Sequence, residues 1–216
     1  MTLFAEISGN RVVAGSICIL ALGVWYADML LDRTVEISGA QTVSLGPLTM
    51  KGTVVIGGSF TGSTRVRVIG GAAGWRLPVP AKSYQHDLGV KKSTVIGDAA
   101  RAVGETVSIA KDGILGSAFV RQRGPASRVL NQVGDLWYVR ADGVTVIGAR
   151  DASKIASEFS VISAQLAIGQ IVVATENPQD WTPGRKFSTE TISERTVSAV
   201  MHKIDKDQFR TEAWVL

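Results

Sequence analysis

Only two imidazoles, His86 and His202, occur in the 216 residues, and imidazole is the side chain most suited to proton transfer and metal ligation near neutral pH. His86 is followed by Asp87 in a loop-like stretch, so a Ser–His–Asp relay can be written on paper with any serine. No G-x-S-x-G nucleophile elbow accompanies it, and such a relay is defined by geometry rather than composition. A small hydrolase using His86 is therefore the weakest reading. His202 stands between Met201 and Lys203 in a strand-like run and reads as an ordinary ladder position. A zinc site needs three or four convergent Cys, His or carboxylate ligands, and the sequence offers no such cluster. The single cysteine, Cys18, lies in an apolar run without a basic neighbour to generate a thiolate, so it reads as a small buried hydrophobe. One cysteine also rules out an intrachain disulfide and suits a reducing folding compartment.

Acidic pairs and glycine clusters are the next candidates. Asp28 with Asp32, and Glu176 with Asp180, have the composition of glycosidase carboxylates, but that chemistry depends on a spatial separation, and acids four residues apart are commonplace. Gly57-Gly58-Ser59-Phe60-Thr61-Gly62 lacks the Lys-Ser/Thr of a phosphate loop. Gly70-Gly71-Ala72-Ala73-Gly74 runs into Trp75 and the prolines Pro78 and Pro80 rather than a helix, so no helix N-terminus is expected to hold a pyrophosphate. Both read as turns. No catalytic, cofactor-binding or metal-ligating residue is assigned, no cofactor is expected, and the expectation is a binding or assembly protein rather than an enzyme.

Charge and hydropathy narrow the partners. The net charge of +4 is scattered over Arg65 and Arg67, Lys91 and Lys92, Arg121 and Arg123, Arg185 and Lys186, and Lys203 and Lys206. A nucleic-acid binder would gather such charge on one face with aromatics between. Val12–Leu31 is nearly all apolar but contains Asp28 and is interrupted by Gly15, Ser16 and Gly23. It matches neither an uncharged span of about 20 residues nor a signal peptide with a basic start and small-residue cleavage site. Two buried strands broken at Gly23 are expected, with no membrane insertion.

These residues must be positioned by β-structure, since hydrophobic residues are 45% of the chain, charged residues 19%, and the 23 glycines favour short strands and tight turns. Strands are expected at Val12–Leu22, Val24–Leu31, Thr34–Ile37, Thr42–Leu45, Thr53–Ile56 and Arg65–Ile69, with breaks at Gly39, Gly46-Pro47, Gly57-Gly58 and Gly70-Gly71. The middle third changes character. Ser93 can cap a helix whose stripe is Ile96, Ala99, Ala100 and Val103, stopping at Gly104. A hairpin of Thr106–Ala110 and Ile114–Arg121 turns at Asp112-Gly113. A second helix opens at Pro125, carries Ala126, Val129, Leu130 and Val133, and ends at Gly134. A further hairpin of Leu136–Arg140 and Val144–Ile147 turns at Asp142-Gly143. The last third returns to strands, Ile168–Ala174 and a closing hairpin of Thr196–Ile204 with Phe209–Leu216. Phe209, Thr211, Ala213 and Val215 share one face of the final strand, and Arg210, Glu212, Trp214 and Leu216 the other. The fold class is mainly β: a β domain at 1–85, a small mixed α/β insert at 86–150, and a second β domain at 151–216.

Three segments resemble a known family. Phe119-Val120-Arg121-Gln122-Arg123-Gly124-Pro125-Ala126-Ser127-Arg128-Val129-Leu130 is followed by Leu136-Trp137-Tyr138-Val139-Arg140-Ala141-Asp142-Gly143. Together they are similar to bacteriophage tail baseplate hub proteins and the related spike proteins of type VI secretion, as is the helix Ser93–Gly104. Val197–Lys203 with Phe209–Glu212 resembles the closing hairpin of the hub's second tube-like domain. The chain is shorter than the larger family members, so accessory domains and a fused spike or lysozyme are not carried over. The resemblance implies a virion protein assembled in the host cytoplasm. It implies a homotrimer whose two tube-like β-barrel or sandwich domains per subunit make a pseudo-sixfold ring. Its implied partners are the tail tube or distal tail protein on the sixfold side, the central spike on the threefold side, and the tape-measure protein, with DNA only in transit. A lumen that passes DNA should avoid clustered positive charge, so the basic residues are expected to face outward or into subunit contacts. The interface residues are not assigned.

Two other readings are open. One is a different tube-like tail component, a distal tail or tube-terminator protein. The other is a carbohydrate-binding β module stacking sugars on Trp75, Trp137 and Trp181, against which stands core or interface burial of those rings.

Overall fold

A computed structural model describes residues 4–133, 136–205 and 208–216. The first part is β1 (Ala5–Ile7), β2 (Asn10–Leu20), β3 (Tyr26–Leu31), β4 (Ala40–Leu45), β5 (Leu48–Phe60) and β6 (Ser63–Gly70). The middle part is β7 (Pro78–Val79), β8 (Lys82–Gln85), α1 (Lys92–Ala102), β9 (Val107–Ile109), β10 (Ala118–Arg121), β11 (Gly124–Pro125), α2 (Ser127–Gln132), β12 (Trp137–Val139) and β13 (Thr145–Ile147). The last part is β14 (Phe159–Gln165), β15 (Gln170–Thr175), β16 (Lys186–Phe187), β17 (Arg195–Asp205) and β18 (Gln208–Val215). The fold is mainly β, as its sequence pattern implies.

Strands β1, β4, β5, β6, β3 and β2 close into a six-stranded barrel, β1 pairing with both β4 and β2. Alternation explains the closure: Ala27, Met29 and Leu31 of β3 and Val66 and Val68 of β6 point inward and are buried, while Asp28, Arg65 and Arg67 point outward. Inside, Trp25 is 1% exposed and occupies room that only glycine leaves. A Cβ on Gly52 would sit 2.9 Å from its ring, and one on Gly70 2.4 Å from its Nε1. Gly70 ends its strand under an indole rather than serving only as a turn.

The middle part of the chain packs a second core, built from Trp75, Val95, Ile96, Ala99, Val129 and Leu130. Ile96, Ala99 and Ala100 of α1 and Val129 and Leu130 of α2 are buried as their spacing requires, and Val103, just past α1, is partly buried. A charge cluster ties α1 to the hairpin of β8 and β10. Arg121, 2% exposed, donates Nη1 to Asp98 (3.1 Å) and donates Nε and Nη2 to the carbonyl of Pro80. Tyr84 and Lys82 also donate to the Asp98 carboxylate. Burial pushes the Asp98 carboxyl up, but the Tyr84 hydroxyl, the Lys82 ammonium and the Arg121 guanidinium outweigh it and hold the carboxyl below its ordinary value.

The third core packs Trp181 and Phe187 against Ile171, Val173, Val200 and Ala213, with Phe159 edge-on to Trp181 at 5.1 Å. Its sheet does not stand apart. β17 pairs antiparallel with β2 over Ala199↔Leu20 to Asp205↔Ala14, so the first and last thirds share one sheet within a single chain.

Several expected elements differ. Thr34–Ile37 is not a strand. Its backbone is held by the Thr64 hydroxyl, which accepts from Val35 N and lies within hydrogen-bond distance of the carbonyls of Arg33 and Val35. Gly57-Gly58 is not a break: β5 runs through it, and the turn falls at Gly62, whose φ of +77° suits glycine. The hairpin expected at Asp112-Gly113 does not form. β9 instead pairs in parallel with β13, and β10 pairs with β8, because partners distant in sequence outcompete the local turn signal. Asp112 accepts from the backbone and hydroxyl of Ser93 (3.0 and 2.6 Å), so the residue expected as a cap is itself capped. Pro125 lies in β11, and α2 starts at Ser127. Gly134, expected to stop α2, and Lys206, in the expected turn of the closing hairpin, lie outside the described residues.

Candidate functional site

The residues that could do chemistry are not brought together. His86 is exposed in the insert and its Nδ1 accepts from the backbone of Leu88 (3.1 Å), a contact within its own loop. His202 is fully buried on β17, its Nδ1 3.0 Å from the Thr211 hydroxyl, its Nε2 without a partner, and its ring beside Phe209. Burial drives the His202 pKa down to about 3, so the ring is neutral. Asp28 is engaged bidentately by Arg67 at 2.7 Å, whereas Asp32 meets Arg33. Asp180 sits in the short helical turn Pro178–Asp180. Cys18 is buried. No group of three or more His, Cys, Asp or Glu able to hold a metal occurs among the described residues. No described helix is long and apolar enough to cross a membrane.

The glycine-rich turn at 70–74 receives a carboxylate from within the chain. Glu105 accepts from the N–H of Gly74 (2.7 Å) and Ala72 (3.3 Å), which staples the turn to the end of α1. Burial raises the Glu105 pKa, and the backbone donors oppose that rise. The tryptophans named for sugar stacking are unsuited to it. Trp75 and Trp181 are 3% and 0% exposed, and Trp137 packs against Trp75 at 6.2 Å between centroids.

What the fold does present is a surface. Strands β5, β6, β3, β2, β17, β18, β15 and β14 follow one another in a single antiparallel sheet. One face covers the first and third cores. The other carries Arg65, Arg67, Asp28, Ser16, Lys203 and Glu212. Two of its cations are matched across strands, Arg67 with Asp28 and Lys203 with Glu212. Arg67 also lies over the Tyr26 ring at 5.5 Å.

β14 ends the sheet on one side. On the other, β4 accompanies β5 only as far as Thr53, and beyond it residues 34–39 lie against β5 without forming a strand: Val54 N–H donates to the Gly39 carbonyl, the Thr34 hydroxyl to the Phe60 carbonyl and the Ser59 hydroxyl to the Val35 carbonyl. β14 pairs only with β15 among the described residues. Ile56 and Phe60 at one end are 61% and 64% exposed, and Val161 and Ile162 at the other 36% and 49%. Exposed apolar strand edges are uncommon in molecules that stay alone. Sequence reading missed β14, whose Ser160, Ser163 and Ala164 give no clear alternation. The signal available was its neighbour β15, buried at Ile171 and Val173 and needing partners on both sides.

No protein-family model and no curated protein sequence matches the chain. Solved structures do. The tail protein of prophage MuSo2 from Shewanella oneidensis superposes with a TM-score of 0.70 at 11% identity, over 99% of this chain and 97% of that one. A tail protein from Neisseria meningitidis gives 0.69 at 12% identity, over 100% and 96%. The fold is that of phage tail proteins. A type VI secretion component from E. coli, described as structurally similar to the T4 tail proteins gp27 and gp5, gives 0.70 at 10% identity over 98% of this chain and 76% of that one.

Proposed function

We propose that this chain is a structural subunit of a phage-type tail, a hub ring joining a sixfold tube to a threefold spike. In this reading the tube-like units are residues 1–85 and 151–216, with 86–150 as an insert. The observation that carries it is the continuous sheet, whose end strand β14 and the distal half of β5 each have a strand partner on one side only among the described residues. Because the strands between β5 and β14 alternate and number eight, β14 of one copy meets β5 of the next antiparallel. Head-to-tail pairing of this kind generates a ring when the rotation closes, and closure gives both strands a second strand partner. The face bearing Asp28, Arg67, Lys203 and Glu212 then lines the lumen, since the opposite face is covered by the cores. That arrangement puts Arg65, Arg67 and Lys203 inward, contrary to the sequence expectation. Pairing of Arg67 and Lys203 with carboxylates offsets two of these three cations in each copy and lowers the positive charge that DNA would meet.

Mass photometry of the purified chain tests the reading. Three copies per particle are expected, and six would favour a tube-like component instead. Ile162→Lys and Ile56→Lys, each placing a charge on one edge, should each return the particle to one copy while leaving the circular dichroism spectrum unchanged. A wild-type chain that stays monomeric at tens of micromolar would contradict ring formation by this chain alone.

A further inference from the structure

A groove of about 490 Å³ lies over the first core, between β12 and the 179–185 loop, away from β14 and the distal half of β5. Its floor is apolar, formed by Ile19, Leu48, Met50, Val139 and Pro183. Three guanidinium groups reach it, and two are neutralised within the chain: Arg140 by Asp142 and Arg185 by Asp151. Arg150 is different. It stacks over the Tyr138 ring at 3.9 Å and donates Nε to the Ala21 carbonyl and Nη2 to the Leu20 carbonyl, each at 2.7 Å. No carboxylate among the described residues pairs with it. Burial pulls its pKa down to about 10, the direction expected of a cation lacking an anion. Gln179 also lines the groove, its Nε2 donating to Asn177 and its Oε1 enclosed by the protein.

A half-buried cation without a counter-ion is costly. With the apolar floor it describes a complement: a carboxylate for Arg150 and aliphatic side chains for the floor. We infer that this groove binds an extended segment of a partner protein in which a Glu or Asp is flanked by aliphatic residues. The Arg150 fork, fixed by two carbonyls and a ring face, offers its remaining Nη1 donors to the acid without reorganising. The inference does not depend on the ring, because neither β14 nor the distal half of β5 contributes to the groove.

The test uses fluorescein-labelled peptide pools of the form X-X-Glu-X-X, with X drawn from Leu, Ile, Val, Phe and Met, read by anisotropy against the full chain. The Glu pool is expected to bind at least tenfold more tightly than the matching Gln pool. Arg150→Gln should erase that preference. Because that change also removes a clamp on Leu20 and Ala21, its melting temperature is measured alongside, and the preference should be lost while the fold is kept. Arg140→Ala should leave the preference intact. Equal binding of the two pools, or absence of binding at 1 mM protein, would overturn the inference. Repeating the titration on Ile162→Lys separates it from the ring: binding retained there shows the groove acting independently of assembly, and binding lost there contradicts it.

Discussion

At the scale of single residues, polar side chains buried without a counter-charge set the molecule's response to pH and to substitution. His202 is fully enclosed and neutral, with its pKa near 3 against an ordinary value of about 6.5. The unfolded chain therefore takes up a proton that the folded chain refuses. Stability from this group is complete above about pH 6.5 and is lost as pH falls toward 3, at up to about 1.4 kcal/mol per pH unit. Thermal melts from pH 7.5 to 4.5 should show a shallower fall for His202→Leu than for the parent, and parallel curves would refute the assignment. Glu105 works differently, as acceptor for the turn at Gly74. Glu105→Gln keeps an oxygen in place, whereas Glu105→Ala strands the backbone donors at a cost of about 1–3 kcal/mol. Urea midpoints should rank parent, Gln variant, then Ala variant. None of this was legible in the sequence, where Glu105 follows Gly104 as an ordinary loop residue and His202 looks like any ladder position, because enclosure depends on strands far away in the chain.

Elements were legible where the signal is local and lost where it is not. The stripe Ile96, Ala99, Ala100 and Val103 places α1, and the Asp142-Gly143 turn places the hairpin of β12 and β13, because each periodicity or turn contains its own explanation. The Asp112-Gly113 turn has the same composition but a different use. Its carboxylate reaches the N-terminus of α1, and Ser93 donates to it. Asp112→Ala should loosen the first turn of α1 by about 1 kcal/mol, read as faster amide exchange at Ser93 to Val95 with little change at Ala99 and Ala100. Uniform acceleration along the helix would argue against a capping role. β5 was cut short in the sequence reading because Gly57-Gly58 resembles punctuation. Gly52, outside the expected strand Thr53–Ile56, has to be small beside Trp25 and sits within the ladder.

At the scale of the whole molecule, the decisive feature is the seam between β2 and β17, which joins strands nearly 200 residues apart in sequence into one sheet. Sequence analysis placed both strands but had no means to pair them, and it expected two separate β domains on either side of the insert. They already meet within one chain, and what is left for other copies is the pair of outer edges. The central claim is that those edges join. It is tested most directly by cysteine cross-linking in a Cys18→Ser background, with Ile56→Cys or Gly58→Cys on β5 combined with Ser160→Cys or Ser163→Cys on β14. Within one molecule these positions stand at opposite ends of an eight-stranded sheet, so a disulfide between them must link two copies. Oxidation is predicted to give, in at least one combination, a covalent ladder of one, two and three chains that stops at three. Monomer alone in all four combinations, or a ladder running on past three, would contradict the closed trimer.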